Sequence, residues 1–445
     1  LTFAQSGNQT LTKKLIIIMA LALPAMIENI LQTAVGFIDT LFVSSLGLNA
    51  VSAVSAANAL LAIYMAIFMA IGVGTSSLIA RYVGGGQWDL AKQIARQSTL
   101  ITIYISIVLG VATIWISKPL LALLGAQDDV LQLANQYFAI VAIPSILIAL
   151  MFNFGSILRA IGNTKGPMWV GVWINIIHII LDYVLIFGTS ITPALGIKGA
   201  AIATLIVRFI GVIALWFMVK QSPISFSLFS KGNKEQALAI LQLSAPTAIE
   251  RLIMRLGQFV YFGFIIGMGS QVYAAHNIAA NIESFSFMPG FGLAIAATTL
   301  VGQNIGAKNY KDAYSYGILT TFIGIVFMSL MGIILFFLSP LFASWFTDEH
   351  EAIRSIVTAL RIDAFAQPAV AISIIIAGAL QGAGDTKSPM YSTAVGMWLL
   401  RVLGVYILGV QMNLGIAGVW LAITIDLYCR SIYLYFRFKK VSRFM

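Results

Sequence analysis

The chain reads as a succession of long apolar stretches separated by short polar ones. The stretches are continuous rather than alternating, and each is long enough for the roughly 20 residues that an α-helix needs to cross a bilayer. The pattern predicts twelve spans, at about 15–46, 50–80, 97–117, 130–158, 167–188, 197–219, 238–268, 272–303, 316–346, 353–381, 390–410 and 414–436. The first two, the seventh and the eighth exceed the minimum, as tilted or bent helices do. Pro24, Pro144, Pro246, Pro289 and Pro368 lie inside spans, where each removes a backbone donor and favours a bend.

Composition turns the pattern into a class. Hydrophobic residues make up 60% of the chain and charged residues 9%, against roughly 25% charged in a soluble domain. A β-barrel is excluded because its strands would alternate. The net charge of +10 is explained by its distribution. With the N-terminus in the cytoplasm, the inside segments hold seventeen Lys and Arg, from Lys13 to Arg443. The outside segments hold only Lys118, Lys198, Arg354 and Arg361. This bias predicts cytoplasmic termini at both ends and no nucleic-acid partner. A single cysteine, Cys429, excludes an internal disulfide and reads as a small core residue. The polar start "LTFAQSGNQTLTKK" has no small-residue cleavage site, so no removable signal peptide is expected.

The chain is also written twice. "LALPAMIENI" matches "LSAPTAIERL", "SSLIARYVGGGQWDLA" matches "TTLVGQNIGAKNYKDA", and "LRAIGNTKGPM" matches "LQGAGDTKSPM". Pro24 pairs with Pro246 and Gly162 with Gly384, a constant shift of 222 residues. Each copy holds six spans, an even number, so the copies share one orientation. The expected fold is therefore an all-α polytopic membrane protein. Its twelve transmembrane helices form two six-helix bundles related by a pseudo-two-fold axis along the membrane normal. The division is an N-terminal lobe at 1–220, a cytoplasmic linker at 221–237 and a C-terminal lobe at 238–445. Two facing bundles make a central cleft, and rocking one against the other gives alternating access. In the repeated "GNTK" and "GDTK" loops, Gly supplies the turn and Asn, Asp or Thr caps the next helix.

Candidate chemistry lies where the repeat breaks. Asp39 pairs with Tyr261 and Asp182 with Gly404, so these two acids exist in the first copy alone. An ionised carboxylate inside a bilayer is costly unless it is protonated, paired or wet, and such groups commonly serve proton relays. Two neighbouring carboxylates titrate as a unit. Asn175, His178 and Asp182 share a helical face. Thr204 is placed to donate to a carboxylate, and His178 fits either a proton relay or a satisfied core histidine. Asn58 and Asn153 complete the expected polar network. The three histidines stand at no metal-ligand spacing, so no metal is expected. In the second copy Glu250, Glu283 and Asp426 balance Arg251, Arg255 and Arg401, as internal salt bridges would. Met65, Phe68, Met69, Phe152, Phe154, Arg255, Tyr261, Phe287 and Met288 are the candidate cleft-lining residues, since flexible Met and flat aromatics suit a permissive cavity.

Twelve spans, the six-plus-six repeat, Pro in spans one and seven, the "GNTK/GDTK" loops and "LDYVLIFG" in span five together resemble the multidrug and toxic compound extrusion (MATE) family, most closely its DinF-like branch. The resemblance covers the whole chain. It implies export of organic cations and amphipathic compounds in exchange for protons or sodium. It also implies an ion site formed by an acid on span one and an Asn-x-x-x-Asp arrangement on span five. Asp39 and Asp182 match the acids, and His178 stands at the Asn position. Imidazole is a poor ligand for sodium, and "AFAQPAVAISIIIAGALQG" in span ten contains no acid, so the expected coupling ion is the proton.

The expected function is thus a proton-coupled multidrug exporter with Asp39 as the coupling carboxylate and Asp182 as its partner. The expected setting is the cytoplasmic (inner) membrane of a prokaryote, with small cationic or amphipathic substrates, no cofactor and no obligate protein partner. The alternatives are a sodium-coupled antiporter and a lipid-linked precursor flippase of related architecture. The flippase needs a strongly cationic cleft for pyrophosphate. A membrane enzyme would need clustered catalytic side chains or large loops, and the loops here are short.

Overall fold

The structure is a computed structural model that describes residues 10–189, 193–228 and 233–444. The described residues form helices and connecting turns. In chain order the helices are α1 (Leu11–Ser44), α2 (Leu48–Gly84), α3 (Trp88–Leu123), α4 (Asp128–Ala142), α5 (Ile146–Ala160), α6 (Lys165–Phe187) and α7 (Ile197–Gln221). There follow α8 (Lys234–Gly267), α9 (Ser270–Gly306), α10 (Tyr310–Ser344), α11 (His350–Gly382), α12 (Lys387–Gln411) and α13 (Gly415–Phe444). Eleven of these are long and apolar enough to span a bilayer alone. The α4–α5 pair, bent by 47°, makes the twelfth span.

That bend falls at Pro144, as the sequence leads one to expect. Helices α1, α8, α9 and α11 instead run unbroken through Pro24, Pro246, Pro289 and Pro368. The repeat persists in the backbone. Gly47 and Gly269 both take positive φ, 105° and 118°, in the turns before α2 and α9, a conformation that costs glycine little. Gly162 and Gly384 do the same at 88° and 81° before α6 and α12. There Asn163 Oδ1 accepts from the Gly166 amide at 2.9 Å and Asp385 Oδ1 from the Ser388 amide at 3.0 Å. The loops are thus capping turns, made by Asn and Asp rather than Thr. The copies differ in α12, where residues 396–402 and 405–411 widen into π-helical turns. Cys429 is exposed, which corrects its reading as a core residue: it lies on the outward face of α13.

The helices fall into two compact units whose boundaries do not follow 1–220 and 238–445. The first holds Ile30–Val83 and Gln87–Ala248; the second holds described residues 10–29, 84–86 and Ile249 onward. The first half of α1 therefore packs in the second unit, and the first half of α8 in the first. Of the linker at 221–237, residues 229–232 lie outside the described residues. Close packing explains the exchange. In the second unit a Cβ at Gly292 would stand 2.5 Å from Met26 Cγ and 2.8 Å from its amide nitrogen, so glycine lets the α1 backbone approach. Lys14 is tied there by Asp312 at 2.7 Å and Ser315 at 2.9 Å. In the first unit Gly74 leaves room for Ser244 of α8, and Gln236 donates to Gln93.

Each unit has its own apolar interior. The second is built around Trp420, Tyr316, Leu293 and Ile375, with Ile18 and Leu21 of α1 among them. The first has two clusters, one around Phe68 and Phe138 and one around Phe154, Ile157 and Leu158.

Candidate functional site

The polar centre of the first unit is assembled from four helices. The second half of α1 brings Asp39. Helix α6 brings His178 and Asp182, whose i, i+4 spacing puts them on one face. Helix α7 brings Thr204 and Arg208, again one turn apart. Helix α4 brings Tyr137. His178 stands between the acids: Nδ1 is 3.8 Å from Asp39 Oδ2 and Nε2 is 3.5 Å from Asp182 Oδ2. Asp182 is 1% exposed and Asp39 about a third, at 33%. Ligating atoms of the three residues all lie within 4.8 Å of one another. Asp39 Oδ1 and Asp182 Oδ1 are buried and accept no hydrogen bond from the protein.

Thr204 fixes the imidazole tautomer. Its hydroxyl donates to the Ala200 carbonyl at 2.9 Å and so has no proton left for His178. The contact of its oxygen with Nε2, at 3.2 Å, is made by an Nε2–H donating to it. Nδ1 then faces Asp39, and a favourable contact there needs one proton, on the imidazole or on the carboxyl. Tyr137 lies beside Thr204, and Arg208 lies close enough to Tyr137 and His178 to act on both electrostatically.

The expected network is partly corrected. Thr204 touches His178 rather than donating to a carboxylate. Asn175 is half-buried on α6, beside this cluster but outside its contacts. Asn153 is buried elsewhere and donates to Thr99 at 2.9 Å, and Asn58 is exposed; neither joins the Asp39 cluster. Tyr137 was not among the expected residues, since one tyrosine in an apolar run carries no signal by itself. The expectation of no metal-ligand grouping is also overturned, because the ligands come from two helices 139 positions apart in sequence, Asp39 and His178. Among the cleft candidates Phe68, Phe154 and Tyr261 are buried in the interiors of their own units. Met65, Met69, Phe152, Phe287 and Met288 are half-buried, and Arg255 is exposed and donates to Gln258 at 3.1 Å.

The second unit has a polar interior of its own. Asp426, 0% exposed, accepts from Arg401 Nε at 2.8 Å and from Arg430 Nε and Nη2 at 2.6 and 2.7 Å. Glu250 accepts from Thr393 at 3.0 Å. Of the six charges expected to form salt bridges, only Asp426 and Arg401 pair with each other, and Arg430 joins them; Glu250 meets Thr393 and Arg255 meets Gln258 instead. Asp363, one residue ahead of the acid-free segment and on the same helix α11, is 0% exposed. Gln367 donates to it at 2.6 Å, and Glu283 of α9 lies beside it. Span ten is therefore not acid-free, and that argument against sodium fails.

Comparison with known proteins adds a family match, two relatives and two solved structures. The family model described as MatE matches residues 24–184 and again 246–407, so its two matches begin the repeat distance apart. The chain is 30% identical over 93% of its length to a probable multidrug resistance protein NorM of Thermotoga maritima, covering 90% of that protein. It is 28% identical over 95% of its length to the uncharacterized transporter YisQ of Bacillus subtilis, covering 93% of it. In fold it matches a MOP superfamily transporter from Pyrococcus furiosus with a TM-score of 0.90 at 24% identity, over 96% of this chain and 95% of the other. A mutant of the Vibrio cholerae MATE transporter VcmN superimposes with a TM-score of 0.92 at 19% identity, over 98% of both chains.

Proposed function

We propose that this chain, which belongs to the MatE family of multidrug transporters, exports cationic or amphipathic compounds across the prokaryotic inner membrane, with both termini cytoplasmic, in exchange for protons. The single observation that carries the coupling is the contact between His178 Nδ1 and Asp39. Thr204 holds the imidazole proton on Nε2, so Asp39 meets a ring nitrogen that lacks a proton until one is supplied. A proton entering from outside neutralises that contact, and the carboxylate loses its attraction for a cationic substrate. When the proton leaves to the cytoplasm, the charge of Asp39 is restored with Asp182 beside it. The cycle works only if proton and substrate bind the alternating states with different affinities.

The test is efflux of a fluorescent lipophilic cation from proteoliposomes under an imposed proton or sodium gradient, for wild type and Asp39→Asn. Proton-driven efflux that the variant loses, with folding retained, supports the reading. Efflux driven by sodium alone, or an unaffected variant, refutes it. Sodium coupling is the second reading, favoured by the buried Asp363, Glu283 and Gln367 of the second unit, whose oxygens suit a hard cation.

A further inference from the structure

The donor set of the first unit points beyond protons. We propose that Asp39, His178 and Asp182 form a binding site for a borderline divalent transition-metal ion of the Zn²⁺ or Co²⁺ kind. Two carboxylates and one imidazole are the ligand types that such ions take. An imidazole nitrogen beside two carboxylates makes a mixed nitrogen and oxygen set, which favours this class over alkali cations.

The geometry is close to what the ion needs. Ligands on a tetrahedral centre with bonds of about 2.0–2.1 Å stand roughly 3.3 Å apart. With Nε2 donating to Thr204, the ligating nitrogen is Nδ1, which is 3.8 Å from Asp39 Oδ2, and one ligand atom from each of the three residues lies within 4.8 Å of the others. A rotation of Asp39, the most exposed of the three, is the main adjustment. The buried Oδ1 atoms of Asp39 and Asp182 accept nothing from the protein, so lone pairs are free for a cation without breaking a hydrogen bond. Asp182 is 1% exposed and aimed into the cluster. Thr204 already orients the ring, as an outer-shell partner does in metal sites. The other groups facing the cluster are Tyr137 on α4 and Arg208 on α7.

Binding does not depend on protons driving export, so it is tested without transport. The full-length protein, freed of any affinity tag, is titrated in detergent with Co²⁺, and its visible ligand-field bands are read. The expected result is one Co²⁺ per chain, displaced by Zn²⁺. Binding should weaken at least about tenfold in Asp39→Asn and Asp182→Asn, with loss of the bands in His178→Asn. His276→Asn, in the second unit, and His350→Asn, beside Glu349 and Glu351, should bind as wild type does. No bands in the wild type up to millimolar Co²⁺ overturns the proposal, as do bands that survive His178→Asn or vanish in His350→Asn. If His178→Asn fails to fold, Asp39→Asn decides: its side chain is one-third exposed and keeps its size, and undiminished binding there overturns the proposal equally.

Discussion

A methyl group added at Gly396 of α12 will strike the Asp426–Arg430 ion pair of α13, whose carboxylate also holds Arg401 of α12. Gly396 opens the first π-helical segment of α12, and a Cβ there would overlap Asp426 Oδ1 and Arg430 Nε and stand 3.0 Å from Arg430 Cγ. Asp426 cannot retreat into water, being 0% exposed. It has to swing away from at least the Arg430 Nε bond, now 2.6 Å. A hydrogen bond to a charged group contributes about 1.5–3 kcal/mol, and overpacking costs about 1–3 kcal/mol more. Alanine returns about 1 kcal/mol as the better helix former. The net loss for Gly396→Ala is then about 1.5–5 kcal/mol. The assay is thermal unfolding in detergent, with Gly263→Ala of α8 as the control, since a Cβ there meets nothing within 4 Å. In an Asp426→Ala background one of the two clashing partners is gone, and Gly396→Ala should lose at least half of its cost. Equal melting of Gly396→Ala and Gly263→Ala would refute the reasoning, and so would strict additivity with Asp426→Ala.

Other expectations follow from the same kind of contact. Lys14→Met removes the partner of Asp312 and Ser315, so amide hydrogen exchange over the first turns of α1 should accelerate, whereas unchanged protection would mean that apolar packing alone holds that segment. Asn163→Ala removes a helix cap worth about 1 kcal/mol. Asp385→Ala should cost more in the same melting assay, because Asp385 also binds Ser388 Oγ at 2.7 Å and Arg437 at 2.9 Å. Gly84→Ala places a Cβ against the Gln303 backbone, 2.5 Å from its carbonyl carbon and 2.6 Å from its Cα. Backbone cannot yield as a side chain does, so the yield of monodisperse protein should collapse, while Gly36→Ala, with nothing within 4 Å, should express normally.

Much of this molecule is legible along the chain because the bilayer leaves few choices. Spans must be long, apolar and helical, so each expected span overlaps an observed helix or, at Pro144, the bent pair. The two acids stand out for the same reason: Asp39 and Asp182 interrupt apolar helices, and the repeat supplies the comparison that makes them asymmetric. What escaped depends on which side chains meet across helices. Asn153 and Asn58 are as polar as the site requires but face Thr99 and the exterior. Tyr137 meets Thr204, although α4 reads as unremarkable apolar sequence. Asp363 sits at the edge of a segment whose remainder is apolar, and its burial goes with the close approach of α10, where a Cβ at Gly332 would stand 2.6 Å from the Ala364 carbonyl oxygen. The exchanged halves of α1 and α8 leave no mark on hydropathy, because packing in either unit demands the same apolar residues.

That exchange bears on how the chain came to be. The boundary between units falls within helices, at 29/30 in α1 and at 248/249 in α8, near-equivalent positions of the two copies. Each copy therefore lends its opening half-helix to the other and receives one in return. An ancestral chain of one copy with this packing would have been whole only as a pair, each subunit completing its neighbour. Joining two such copies in one chain makes the loan permanent. Two copies in one chain can differ, and Asp39 and Asp182 are acids in one of them alone. The corollary is practical: cutting within 221–237 and expressing either piece by itself gives a bundle that lacks a half-helix it needs and exposes one it cannot use, while co-expressed pieces should find each other.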